Sequence, residues 1–290
     1  MMRSLLFVPA DDARKLDKAM ASGADAVIVD LEDSISAQGK ADARVSAAAF
    51  IGNAGKATHR PRLLVRINGL ATGLADADLD AVVPARPDAI MLPKAEGGAD
   101  IVRADAKLAA REAIAGLSDG CIKIVAIATE TATALFLAGT YGGASARLEG
   151  LTWGGEDLSA ELGAETNRDS NGDFLDPYRL ARALCLAGAA AARVQAIDTV
   201  TVDFRNVAAL RRESEEARRD GFTGKMAIHP AQVPIINEVF TPTADEVERA
   251  QRIVDAFEAS QAAGEAVFRL DGKMVDAPVV VRARRMLGLQ

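Results

Sequence analysis

The order of apolar and polar segments predicts a (β/α)8 barrel followed by a C-terminal extension, and three observations carry that prediction. Eight short runs of apolar or β-branched residues recur within residues 1–240. Helix-compatible segments alternate with them, the order that parallel strands joined by crossover helices produce, over about the length that an eight-unit barrel requires. No run leads into a G-x-G-x-x-G turn or a P-loop, which an open nucleotide-binding sheet usually carries. The first strand-to-helix turn reads Val8-Pro9-Ala10-Asp11 instead.

The candidate strands are Leu5–Pro9, Ala26–Leu31, Leu63–Asn68, Ala89–Pro93, Ile122–Ala128, Gly150–Trp153, Thr199–Asp203 and Lys225–His229. Between them lie helical segments at Asp11–Ser22, Lys40–Ile51, Ala75–Val83, Gly98–Ala115, Thr131–Leu137, Pro177–Ala192 and Asn206–Asp220. Beyond the eighth strand a helix is expected from Thr243 to Ala263, with Thr243 and Glu246 at capping-box spacing. Ala266–Leu270 and Lys273–Asp276 then flank Asp271-Gly272, a two-residue hairpin signal, and a last helix starts at Ala277. Residues 1–240 are expected to form the barrel that carries the site. Residues 241–290 are expected to form a helix-hairpin-helix extension serving as lid and oligomer contact.

Composition narrows the function classes. The chain has 290 residues, 34 basic against 41 acidic, for a formal charge of −7. That balance repels a phosphate backbone, and 4% aromatic residues leave few rings to stack on bases, so nucleic acid is not an expected partner. No apolar run approaches the ~20 residues of a membrane span, and the N-terminal segment lacks the apolar length and cleavage site of a secretory signal. Cys121 and Cys185 show neither metal-ligand spacing nor a need to pair. A cytoplasmic protein is expected.

In such a barrel the strand ends at the carboxyl side face the active site, and here those ends are rich in carboxylates. Strand two ends in Asp30-Leu31-Glu32-Asp33, strand three in Arg66-Ile67-Asn68, strand four in Pro93-Lys94 and strand five in Thr129-Glu130. Strand six runs into Gly154-Gly155-Glu156-Asp157. Crowded carboxylates repel one another unless a cation or protons neutralise them. With two histidines and no cysteine cluster, the donor set suits Mg2+, and Glu130 with Asp157 is the best-placed pair. The alternative is that Glu130 caps the helix starting at Thr131 and Asp157 one starting at Leu158. Arg66, in an apolar strand, is either half of a buried ion pair or a two-point clamp for a substrate carboxylate. Lys94 reads as a Schiff-base lysine or as a partner of Asp30 or Glu32. His229 reads as a general base or as the anchor of a loop.

Several motifs occur together in order: Arg3-Ser4-Leu5-Leu6-Phe7-Val8-Pro9, Asp30-Leu31-Glu32-Asp33 with Lys40 and Arg44, Val65-Arg66-Ile67-Asn68, Leu92-Pro93-Lys94, Glu130-Thr131-Ala132, Gly154 to Leu158, Gly221 to Lys225, Ile228-His229-Pro230-Ala231-Gln232 and Gly272 to Asp276. In this the chain resembles the citrate lyase beta-subunit and malyl-CoA lyase group of the HpcH/HpaI aldolase superfamily, over nearly its whole length. Ala10 departs from the glycine that usually follows Val-Pro there.

The resemblance implies a TIM barrel that cleaves or forms a carbon–carbon bond between an acyl-CoA enolate and a 2-oxo acid, with Mg2+ on the oxo acid. Glu130 and Asp157 match the metal ligands and Arg66 the oxo-acid carboxylate clamp. Asp276 matches an aspartate that exchanges a proton with the acyl fragment and comes from a neighbouring subunit in the malyl-CoA lyase branch; otherwise it caps the last helix. Arg3 and Lys18 are candidate contacts for CoA phosphates. A homo-oligomer, trimer or hexamer, is implied. Two other readings stay open: a beta subunit working on an acyl-carrier-protein thioester, and a catalytically silent barrel that binds CoA esters.

Overall fold

In the computed structural model, which describes residues 1–262, 268–270 and 272–289, eight parallel strands close into a barrel in sequence order. They are β1 (Ser4–Pro9), β2 (Ala26–Asp30), β3 (Arg62–Arg66), β4 (Ala89–Leu92), β5 (Lys123–Ile127), β6 (Leu148–Thr152), β7 (Gln195–Asp198) and β8 (Gly224–Ala227). Pairing of Ser4 with Lys225 and Leu6 with Ala227 joins the eighth strand to the first. The helices α1 (Ala13–Met20), α2 (Lys40–Ala54), α3 (Ala75–Val82), α4 (Gly98–Ile114), α5 (Ala132–Leu137), α6 (Gly155–Glu161), α7 (Asp176–Ala192), α8 (Val207–Asp220) and α9 (Val233–Phe240) follow the strands in turn. The fold is therefore the expected (β/α)8 barrel.

Both faces of the sheet are buried, which is why the strands read as apolar runs rather than as alternating ones. Leu5, Ile28, Leu64, Met91, Val125, Ile127, Ile197 and Met226 form one cluster inside the barrel. Leu6, Val8, Val27, Val65, Ile90 and Leu92 belong to the layer between strands and helices. Each such side chain contributes roughly 1.5–3 kcal/mol when removed from water. Side-chain caps fix where helices begin: Asp12 accepts from the Lys15 N–H, Thr131 from Ala134 and Asn206 from Ala209.

Three local expectations need correction. The seventh strand is Gln195–Asp198, not Thr199–Asp203. Its extent is set by the pairing of Ile197 with Gly224 and Asp198 with Lys225, whereas the β-branched Thr199-Val200-Thr201-Val202 run that suggested the strand is the loop leaving it. A helix at Gly155–Glu161 begins before Asp157 rather than after it, and a further helix at Val233–Phe240 was not expected.

The chain divides into Met1–Phe240 and Thr241–Gln290. The second unit holds α10 (Ala244–Ala262), β9 (Phe268–Leu270), β10 (Lys273–Val275) and α11 (Ala277–Met286). The Thr243 hydroxyl accepts from the Glu246 N–H and the Glu246 carboxylate from the Thr243 N–H, a closed capping box. β9 and β10 pair antiparallel with Leu270 opposite Lys273; Ala266 and Asp271, part of the expected hairpin, lie outside the described residues. Ala250, Val254 and Ala283 form this unit's own small core. Among the described residues, no helix is long and apolar enough to cross a membrane.

Candidate active site

The acidic loop that leaves β2 has its shape fixed by its own side chains. Asp30 accepts the N–H groups of Glu32 (2.9 Å) and Ser34 (3.2 Å). The Lys40 ammonium donates to the carbonyls of Leu31 and Glu32, and the Asn68 amide to that of Leu31. With its backbone groups partnered in this way, the loop holds Asp30, Glu32 and Asp33 at the mouth of the barrel.

Arg66 ends β3 and lies against them. Its Nε and Nη2 each donate to Asp30 at 2.7 Å. Its Nη1 lies 3.1 Å from Glu32 Oε2 and 3.6 Å from Asp33 Oδ2, and the guanidinium sits 4.8 Å above the Phe7 ring. This pairing lets a charged group occupy an apolar strand. Burial alone would raise the Asp30 carboxyl, but the hydrogen bonds and charge of Arg66 prevail and hold it below the usual carboxylate range. Burial likewise works against the charged guanidinium, and the surrounding carboxylates more than offset it. The fork expected to grip a substrate carboxylate is thus bound to Asp30. What Arg66 offers a substrate is its charge and Nη1.

Glu130 follows β5 and is buried, 3% exposed. Capping of α5 falls to Thr131 and not to Glu130. Instead, Glu130 Oε2 accepts the backbone N–H of Lys94 at 2.5 Å. Lys94 has φ +52°, a left-handed conformation that is costly for a residue with a Cβ and that here presents the N–H to Glu130. A Cβ on Gly154 would come within 2.9 Å of Glu130 Cγ, so glycine at 154 leaves room for the carboxylate. Burial pushes the Glu130 carboxyl up to about 8; the Lys94 N–H opposes this, and the charges of Asp157 and Glu32 add to it.

The Lys94 ammonium completes the cluster, 2.6 Å from Glu32 Oε1 and 3.3 Å from Asp157 Oδ1. Burial disfavours its charge, but the Glu32 hydrogen bond and the charges of Glu130, Glu32 and Asp157 raise its pKa overall. Asp157 and Glu156 stand in the first turn of α6, where the helix N-terminus favours anions.

Beside this cluster a cavity of about 440 Å³ opens at the carboxyl ends of the strands. Asp30, Asp33, Arg66, Glu130, Glu156 and Asp157 line it from β2 through β6, and Phe7, Val200, Met226 and Ile228 line it from β7, β8 and β1. Arg3 and Lys18 do not line it. Arg3 precedes β1, at the opposite end of the barrel, and is bound through Nε and Nη2 to Asp25, while Lys18 is in the last turn of α1. His229 anchors a loop: Nδ1 accepts from the Ala231 N–H, and the ring stacks on Phe204 with centroids 4.4 Å apart. Asp276, in the second unit, caps α11 by accepting from the Val279 N–H. Sequence reasoning missed Gly154, Phe7 and the backbone role of Lys94; only the Gly154-Gly155 pair carried a local signal.

A closed (β/α)8 barrel whose carboxyl-end cavity gathers acidic side chains about an arginine is of the class in which strand-end residues hold the reacting groups. The family described as HpcH/HpaI aldolase/citrate lyase matches residues 3–230, and this chain belongs to it. A second description, C-C bond lyase of the TIM-barrel fold, matches residues 179–287. The chain is 37% identical to (3S)-malyl-CoA thioesterase of Cereibacter sphaeroides, over 98% of this chain and 93% of the other. It is 33% identical to mitochondrial citramalyl-CoA lyase of Rattus norvegicus, over 99% and 85%. Among solved structures, protein CitE from Mycobacterium tuberculosis in complex with magnesium, acetoacetate and coenzyme A superimposes with a TM-score of 0.78 at 31% identity, covering 99% of this chain and 97% of that one.

Proposed function

We propose that the protein is a Mg2+-dependent carbon–carbon lyase that cleaves, or forms, a 3-hydroxyacyl-CoA thioester of the malyl-, citramalyl- or citryl-CoA type, giving an acyl-CoA and a 2-oxo acid. The observation that carries this reading is the meeting of Glu130, Asp157 and Arg66 at one cavity, brought there by three separate strand ends. The relatives support it: two are named for CoA esters of hydroxy acids, and CitE was crystallised with magnesium, a 3-oxo acid and coenzyme A.

The residues present fit a magnesium ion. The donors are carboxylate oxygens, and a cation, the Lys94 ammonium, already sits against Asp157 and Glu32. Among the described residues, no three His, Cys, Asp or Glu side chains converge into a self-sufficient metal cluster, so the coordination would be completed by substrate oxygens and water, as Mg2+ usually requires. Glu130 and Asp157 would hold the ion. Bound there, Mg2+ would supply positive charge that favours loss of the proton from the substrate hydroxyl before the bond breaks and, in the bond-forming direction, would offset the charge that builds on the oxo oxygen.

The protein's own groups do the rest. Arg66 adds its charge beside the oxo-acid carboxylate and is kept from turning away by Asp30. Lys94 fixes Glu130 through its N–H and Glu32 through its ammonium, which preorganises the carboxylates before substrate arrives. The thioester fragment leaves as a carbanion equivalent, and Asp276 is assigned the proton exchange at its carbon on the strength of the sequence resemblance. The test is formation of a 2-oxo acid from the candidate thioesters with Mg2+ and its loss with EDTA. A Mg2+-loaded protein that releases no oxo acid from any of them contradicts the proposal.

A further inference from the structure

Two charged side chains stand in a layer that is otherwise largely apolar. Between strands and helices the other strands present residues such as Leu6, Val27, Val65, Ile90 and Leu151. There β7 and β8 present Asp198 and Lys225, side by side in the sheet and 3% and 0% exposed. Lys225 Nζ lies 3.0 Å from Asp198 Oδ2 and 3.6 Å from Glu213 Oε2. Asp198 Oδ1 accepts from the indole Nε1 of Trp153 at 2.7 Å and from Arg182 Nε at 3.2 Å. Well-packed apolar residues of similar volume often serve such a layer as well or better, so stability does not account for these charges. What a fully partnered buried network adds is one defined arrangement of the groups it holds.

The group held is Trp153. Its N–H is fixed by Asp198 and its ring by Phe174, which meets it edge-on with centroids 4.9 Å apart. The Arg168 guanidinium covers Phe174 at 3.7 Å, and Arg168 Nη1 donates to Glu213 Oε1 at 2.7 Å, which closes the network on Lys225. The rings in turn seat the next stretch of chain. A Cβ on Gly155 would stand 3.3 Å from Phe174 Cε1 and 3.4 Å from Trp153 Cζ3, so the backbone of Gly155 lies against both rings. There α6 starts, with Glu156 and Asp157 in its first turn. Resting on the function proposed above, we infer that the Trp153–Asp198 hydrogen bond positions the magnesium site: it fixes the ring on which the Asp157 turn is seated, and so holds Asp157 at the cavity with Glu130. Trp153 and Asp198 are positioning residues that act through Gly155, and neither lines the cavity.

The test is Mg2+ binding to the full-length protein by titration calorimetry, a reading that needs no turnover, with thermal unfolding measured alongside. Trp153→Phe keeps an aromatic ring, removes the N–H donor and leaves Asp198 paired with Lys225 and Arg182, so the fold is expected to survive. It should weaken Mg2+ binding about 10-fold, the lower end of the range for groups that orient a metal ligand. Leu151→Ala opens a gap in the same layer two residues earlier on β6 without touching the hydrogen bond. It should lower thermal stability and keep the Mg2+ affinity of the parent. Asp198→Asn combined with Trp153→Phe should weaken binding no more than the larger of the two single losses, because both substitutions act on one interaction. Mg2+ affinity unchanged in Trp153→Phe, or lost to the same extent in Leu151→Ala, overturns the inference and leaves the proposed lyase reading standing. Additive losses in the double variant overturn the assignment of Asp198 as the partner through which Trp153 acts. A parent protein that binds no Mg2+ overturns both the inference and the function on which it rests.

Discussion

The backbone N–H of Lys94 donates to Glu130 Oε2 at 2.5 Å, from a residue held at φ +52°. An acidic side chain buried beside two other carboxylates is thereby given a fixed orientation. If Glu130 and Asp157 are the metal ligands, Glu130→Gln and Asp157→Asn should each abolish turnover while circular dichroism and thermal unfolding at neutral pH stay near normal, since each replacement keeps the size and shape of the side chain. Near-normal turnover of either variant at limiting Mg2+ would remove that residue from the metal site.

The elevated pKa of Glu130 makes the metal-free protein sensitive to pH. The folded-state value, about 8, stands above the ordinary 4.5. Between those two values the folded state holds a proton that the unfolded state has lost. Stability therefore falls as pH rises across that window, with a slope from this group of at most about 1.4 kcal/mol per pH unit. Glu130→Gln, which keeps an oxygen for the Lys94 N–H, should remove the slope: thermal unfolding in EDTA is expected to show the variant more stable than the parent at pH 8.5 and matched to it at pH 4.5. Parallel curves over that range would show that Glu130 is ionised in the metal-free fold.

Lys94 separates two kinds of aldol chemistry. A Schiff-base lysine must be a free amine to attack a carbonyl, whereas Glu32 and its acidic neighbours keep this ammonium charged. Borohydride added with substrate should therefore trap no adduct on Lys94, shown by peptide mass mapping, and EDTA should stop the reaction. A reduced adduct at this position would replace the metal mechanism.

Asp276 caps α11, and the cap alone makes a distinct forecast. Loss of an N-cap costs about 1 kcal/mol of stability with chemistry unchanged. Loss of a general acid–base group lowers turnover by roughly 10²- to 10⁴-fold. Asp276→Ala is expected to show the second effect, with affinity for the oxo acid and Mg2+ largely retained. Mixed oligomers of Asp276→Ala and Glu130→Gln chains should regain activity if the aspartate serves a neighbouring subunit's barrel. Verified hybrids without recovery would assign it to its own chain.

The fold was legible because strand periodicity and helix punctuation agree along the chain, and most of the acidic residues that line the cavity stand at the strand ends that the sequence marks. Three features were not legible, for physical reasons. The Thr199–Val202 run has stronger strand propensity than Gln195–Asp198, yet register with Gly224 and Lys225 decides which segment pairs. In sequence Glu130 reads as the possible cap of a helix starting at Thr131, whereas Thr131 is itself the cap, its hydroxyl accepting from the Ala134 N–H. That Asp30 occupies the fork of Arg66 depends on β2 and β3 lying side by side with Asp30 opposite Arg66, a relation between residues 36 positions apart that no local pattern encodes.

The proposed reaction is cleavage of a hydroxyacyl thioester at a site that needs a divalent cation. The most direct measurement follows oxo-acid and CoA-ester products from malyl-, citramalyl- and citryl-CoA, each with Mg2+ and with EDTA, using the parent protein and Glu130→Gln. Oxo acid formed from at least one thioester by the Mg2+-loaded parent, and absent both in EDTA and in the variant, is the predicted result. Product formed equally well in EDTA, or by Glu130→Gln, would contradict it.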